Sequence, residues 1–174
     1  STVLKSIPPA SHQHFLLHGN LLSDGHKPSP QAEAQFALKK EFLNTALPSL
    51  GLTLAFAGPA DRGLPPRLQP GNLGGTSDLG AGEQTRLAGD ILVIREPIPK
   101  ALPPARLRIL ISERPLESLR KEASALQSAG IGLVLLGDQK GDHALWLQLT
   151  EGLFLLRSGE RGQHLARLVL QLRG

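Results

Sequence analysis

The chain contains no cysteine and no tyrosine, and its aromatic residues amount to one tryptophan and five phenylalanines in 174 residues. Without thiols there is no disulfide, no thiolate metal site and no cysteine nucleophile. The absence assigns no compartment, because a chain of this length has room for a core that is stable without covalent staples. With 3% aromatic residues, that core must be built mainly of Leu, Ile, Val and Ala. Binders of single-stranded nucleic acid stack bases on exposed aromatics, and the few rings here lie mostly within apolar runs, which speaks against that class. Long hydrophobic runs are also lacking, and none approaches the roughly 18 residues of a membrane-spanning helix. The first ten residues are too short and too polar for a signal peptide. There is no Asn-x-Ser/Thr acceptor, and Ser at position 1 suggests a piece of a longer protein.

Charge of one sign is scarce too. The net charge is +4, and it arises unevenly: residues 1–94 hold seven basic and seven acidic side chains, residues 95–174 twelve and eight. The excess is scattered as Arg95, Arg106, Arg108, Arg114, Arg157, Arg161, Arg167 and Arg173. A nucleic-acid footprint needs basic residues clustered on one face. Their scatter reads as a solvated surface.

What is present is alternation. From Arg106 to Gly174 the chain reads as strand, helix, strand, short helix, strand, helix. Leu107 to Ile111 is an apolar run behind the Pro103-Pro104 breaker. Pro115 opens a helix in which Leu116, Leu119, Ala123 and Leu126 share one face, and Gly130 stops it. Ile131 to Leu136 is the next apolar run, residues 153–156 another strand, and 163–173 a closing helix. Upstream, residues 1–11 form a lead-in segment, with a single domain over 12–174. Residues 14–18 and 52–57 are predicted strands around a helix over 31–47, whose stripe is Ala32, Phe36, Leu43, Leu47 and, beyond its end, Leu50. The proline- and glycine-rich stretch 58–82 has room for an edge strand near Leu64–Leu68. A helix is expected over Glu83 to about Asp90, with Ile91–Ile94 either extending it or forming a strand. Buried strands alternating with amphipathic helices predict an α/β fold: a doubly wound, mostly parallel sheet with helices on both faces.

In order, these elements resemble a von Willebrand factor A domain. The resemblance is carried by Ile109-Leu110-Ile111-Ser112-Glu113-Arg114, by the helix Leu119 to Gly130, by Leu133-Val134-Leu135-Leu136-Gly137-Asp138, by Phe15-Leu16-Leu17-His18-Gly19 and by Gly74-Gly75-Thr76-Ser77-Asp78. That family binds Mg²⁺ at an adhesion site built from Asp-x-Ser-x-Ser after the first strand, a Thr from the glycine-threonine loop and an Asp after the fourth strand. The corresponding positions here are His18, Asn20, Leu22, Thr76 and Glu113. An imidazole replaces the key carboxylate, an amide one hydroxyl and an isobutyl group the other. One carboxylate, one hydroxyl and one amide hold a hard cation poorly against water. The resemblance therefore implies a metal-free, cofactor-free, noncatalytic module that binds protein partners, from an extracellular or secreted parent protein.

Other chemistry reads weakly. His12, His14 and His18 share parity on an extended segment, an arrangement open to metal ligation by imidazoles, but Phe15 and Leu17 claim the opposite parity for packing and no His-x-x-x-His helix pair exists. Gly71 to Ser77 has the glycines of an anion-cradling turn without the Lys of a Walker loop. There is no Gly-x-Ser-x-Gly elbow around Ser23, Ser77 or Ser112. The alternative to an interaction module is a small enzyme or ligand-binding domain using His18, Asn20, Thr76 and Glu113, with Asp24 or Asp78 near His18, at the carboxyl edge of the sheet. Glu117 and Lys121 read as a helix-surface pair, and Trp146 as a core anchor.

Overall fold

The computed structural model describes residues 14–19, 21–23, 29–69, 79–137 and 145–157. These fall into two compact units, divided after Asp78. The predicted lead-in segment and the closing helix at 163–173 lie outside the described residues.

The first unit is a strand–helix–strand crossover. β1 (Phe15–Gly19) pairs parallel with β2 (Leu52–Ala57), and α1 (Pro30–Ser49) connects them. Ser29 caps α1: its Oγ accepts the Ala32 N–H at 3.2 Å, and Pro30 stands where no N–H is needed. The inner face buries Leu47 and packs Leu43 against Phe15, Leu17, Leu52 and Ala55. Phe36 and Leu43 also meet a second cluster of Leu22, Leu64 and Leu68. The expected stripe holds through Leu47, whereas Leu50 lies beyond the helix end, partly in solvent. A short helix, α2 (Pro59–Arg62), follows β2. Residues 64–68 form no edge strand. Leu68 and Gln69 donate their N–H groups to Pro65 O at 2.8 and 3.2 Å, closing turns that send Leu64 and Leu68 inward. Pro65 and Pro66 have no N–H to give a ladder, so turns win here.

The second unit is a six-stranded sheet in the order β3-β4-β5-β6-β8-β7. Its strands are β3 (Gln84–Leu87), β4 (Ile91–Arg95), β5 (Leu107–Ser112), β6 (Leu133–Leu136), β7 (Leu145–Thr150) and β8 (Leu153–Arg157). The four inner strands run parallel, and the two edges, β3 and β7, run antiparallel to their neighbours. The fold is thus α/β, with a mostly parallel mixed sheet, but the strands expected in one sheet are divided: β1 and β2 form a two-stranded sheet of their own.

One face of the large sheet carries Leu92, Ile94, Leu110, Val134, Leu136, Leu153 and Leu155 against α3 (Leu116–Lys121) and α4 (Ala123–Ser128). Leu119, Ala123 and Leu126 supply the helical side, as their spacing predicts. Val93, Ile109, Ile111 and Leu133, at the opposite parity, are buried as well. The predicted helix over 115–129 is interrupted at Glu122, which lies outside helical geometry at φ −98°, ψ 5°.

Three expectations fail here for identifiable reasons. The helix expected over 83–90 is the β3–β4 hairpin, because Gly89 and Asp90 both take positive φ and turn the chain, leaving Ile91–Arg95 as a separate strand. The short helix expected between β6 and β8 gives way, over its described part, to β7, which returns through Gly152 at φ +77° to pair with β8. Strand alternation then points Leu145, Leu147 and Leu149 to the core and Trp146 away from it. Trp146 is 49% exposed and stacked on Phe154, with centroids 5.2 Å apart, and is no core anchor.

Gly130 closes α4 at φ +74°, with its N–H on Gln127 O at 2.8 Å and that of Ile131 on Leu126 O at 3.1 Å. The Arg108 guanidinium fills the space a side chain would need, donating to Ala129 O at 3.3 Å and Pro103 O at 3.2 Å. Gly130→Ala is therefore expected to destabilise the protein by about 1–2 kcal/mol, measured by urea unfolding. Gly63→Ala, at negative φ with only ordinary contacts, serves as the near-neutral control, and equal effects would contradict this account.

Candidate functional site

The carboxyl ends of parallel strands are where α/β folds place ligands, and the predicted site residues were drawn from there. In the first unit that edge is organised by a residue the sequence reading passed over. Asp61, in α2 just past the end of β2, is fully buried. Its Oδ2 accepts the N–H of Leu21 at 2.5 Å, and its Oδ1 accepts those of Leu22 and Ser23 at 2.9 and 2.7 Å. Parallel pairing brings the two strand ends side by side, with Gly58 N–H on Gly19 O at 2.9 Å. The carboxylate thereby fixes the segment leaving β1. The signal for it was Gly58-Pro59-Ala60-Asp61, a helix start with an acid in its first turn directly after a buried strand.

His18 stands at the predicted position, in β1 opposite Phe56, whose ring it meets edge-on at 6.1 Å. Its Nε2 is shut off from solvent and has no hydrogen-bond partner. Burial, with a smaller contribution from the positive charge of Arg62, lowers its pKa from 6.5 to about 4. The ring is therefore neutral at physiological pH. Leu22 packs into the cluster with Leu64 and Leu68, which explains an isobutyl group where a hydroxyl was sought. Asn20 and Thr76 lie outside the described residues, as do His12, Asp24, His26, Asp78 and the Gly71–Ser77 loop. His14 is partly buried.

In the second unit the ends of β4 and β5 carry a charged network. Arg95 is buried; its Nη1 donates to Leu79 O at 2.6 Å and its Nη2 to Glu113 Oε1 at 3.1 Å. Glu96 accepts the Ser112 hydroxyl at 2.8 Å on Oε2 and the Arg114 Nε–H at 2.8 Å on Oε1. Arg114 also reaches Glu122 Oε2 at 2.6 Å. Burial works against the Arg114 charge, but its bonds to Glu122 and Glu96 outweigh that and raise its pKa. Glu113, proposed from sequence as a site carboxylate, is thus engaged by Arg95, and Ser112 is held by Glu96. On α3 the pair that forms is Arg120 with Glu117, at 2.8 Å.

Among the described residues no three His, Asp or Glu side chains are grouped to hold a metal ion, and no described helix is long and apolar enough to cross a membrane. No protein-family model matches the chain, and no curated protein or solved structure is significantly similar to it.

Two predictions follow from this geometry. Asp61→Ala leaves three backbone N–H groups without their acceptor and should lower unfolding free energy by on the order of 3 kcal/mol. A loss under about 1 kcal/mol in urea titrations would mean the segment is held otherwise. For His18, the folded pKa lies below the unfolded one, so its contribution is fully present above about pH 6.5 and is lost as pH falls toward 4. Between pH 7 and 5 wild type should lose about 2 kcal/mol that His18→Phe does not lose. A difference between the two proteins that stays flat across this range would show a solvated imidazole.

Proposed function

We propose that the chain is a noncatalytic protein-interaction module of the doubly wound, von Willebrand A-like type, acting without a metal as part of a larger protein. The observation that carries this reading is how the polar groups at the strand ends are used. The Asp61 carboxylate is occupied by three backbone N–H groups, Glu96 by Ser112 and Arg114, and Glu113 by Arg95. An acid or base that performs chemistry must reach a substrate proton, and these carboxylates are turned onto the protein itself. The βαβ crossover and the mostly parallel sheet support the α/β part of this reading, while β1 and β2 stand in a sheet of their own. The imidazole at position 18 and the isobutyl group at position 22 weigh against the family's Mg²⁺ chemistry. Recognition then falls to loops at the carboxyl edge or to the arginine-bearing second half, since scaffolded loops carry function and Arg is enriched at hot spots.

One observation favours the second reading, a ligand-binding or catalytic domain. The His18 Nε2 is enclosed and unpaired, and a neutral imidazole is suited to bond a small ligand or move a proton.

Binding to a protein partner, captured from native extracts, is expected to survive EDTA, and calorimetry with Mg²⁺ or Mn²⁺ should give no saturable heat. Capture lost to EDTA and restored by a divalent ion would contradict the metal-free module. Turnover of a small substrate that His18→Ala abolishes would establish the second reading instead.

A further inference from the structure

The two edges of the six-stranded sheet are unlike. β3 is four residues long and carries exposed Arg86, which pairs with Asp90 and donates to Pro104 O at 2.6 Å. Shortness and charge are what keep a sheet edge from pairing with another chain. β7, at the other edge, is six residues of Leu-Trp-Leu-Gln-Leu-Thr with neither charge nor proline. Among the described residues no strand lies along its outer side. Its core-facing residues are Leu145, Leu147 and Leu149, while Trp146 and Gln148 are exposed on the other face. The register irregularity against β8 lies between Gln148 and Thr150, so the preceding residues form a regular edge.

We propose that β7 is a self-association edge, pairing antiparallel with β7 of a second copy about a two-fold axis at Leu147. Directly opposed residues of an antiparallel pair point to the same face, so only a register that matches odd with odd positions keeps the leucines on the core side. Centring on Leu147 does this. Leu147 meets Leu147 of the second copy, and each Trp146 meets the other copy's Gln148. Leu145 approaches Leu149 at the end of the regular stretch, where the irregularity begins. The strand is therefore complementary to itself, as an isologous interface requires. With no charge on the strand, self-pairing sets no like charges against each other. Trp146, already stacked on Phe154, would extend that aromatic row onto the second copy. Six residues make a small interface, so a weak dimer is expected. This association is independent of the partner-binding reading and needs neither strand-end network.

The test uses sedimentation equilibrium on three proteins, with folding of each verified by circular dichroism. Wild type should dimerise in a concentration-dependent way. The double variant Trp146→Lys with Gln148→Lys sets lysine opposite lysine and should be monomeric. Trp146→Lys with Gln148→Glu sets lysine opposite glutamate and should dimerise again. Both variants lose the same stacking on Phe154, so a general effect on folding cannot separate them. A wild type still monomeric at about 1 mM, where even a millimolar Kd would show, would overturn the proposal. So would dimers in all three proteins, or a glutamate variant as monomeric as the lysine one.

Discussion

Backbone groups leaving a strand end away from water must find partners, and this constraint shapes the strand-end site of the first unit. The solution there is Asp61. Its carboxylate takes the three consecutive N–H groups of Leu21, Leu22 and Ser23, so one buried side chain satisfies three donors. The course of the chain beyond β1, the packing of Leu22 beside Leu64 and Leu68, and the enclosure of His18 next to Phe56 are all anchored to the same short stretch. In the second unit the links at the end of β4 run between side chains, Glu96 holding Ser112 and Arg114 and Arg95 holding Glu113, and they tie β4 to the end of β5 and the segment after it. Such groups resemble catalytic residues in type and place. Their bonds run to the protein itself.

His18 differs from this group. Asp61, Arg95, Glu96, Ser112, Glu113 and Arg114 all have partners, whereas this ring sits neutral with one nitrogen unbonded. A buried unpaired nitrogen costs stability, and a fold that keeps it either tolerates the cost or uses the nitrogen. The interaction module proposed above accords with the first possibility and the ligand-binding alternative with the second.

The parts of the fold legible from sequence were those with long or repeated apolar patterning. α1, β2, β5 and the Leu116–Leu119–Ala123–Leu126 face emerge because helix and strand periodicities there are unambiguous. Residues 83–90 read as helix because Glu83 to Ala88 is composed mainly of good helix formers, and Ile91–Ile94 reads either as its extension or as a strand. The turn at Gly89 and Asp90 decided otherwise by bringing β3 beside β4. Trp146 was assigned to the core by its apolar neighbours, and only the parity of β7 shows that it points away. Among the strand-end residues, matching against a motif points to His18 in the first unit and Glu113 in the second and passes over Asp61. That carboxylate acts on a segment 38 to 40 residues earlier, a distance across which local patterning carries no information. The partner of Glu113 was hidden for the same reason, since Arg95 reaches it only through the pairing of β4 with β5.

The central claim is that the polar groups at the strand ends are spent on the fold. Backbone amide hydrogen exchange of Leu21, Leu22 and Ser23, followed by NMR, tests it most directly. Bound to a buried carboxylate, these three amides should exchange slowly, with protection approaching that of the strands. All three should lose protection together in Asp61→Ala, which removes both acceptor oxygens. Exchange at the rate of an open loop in the wild type, with Asp61→Ala making no difference, would contradict the account and return the strand end to solvent and to ligands.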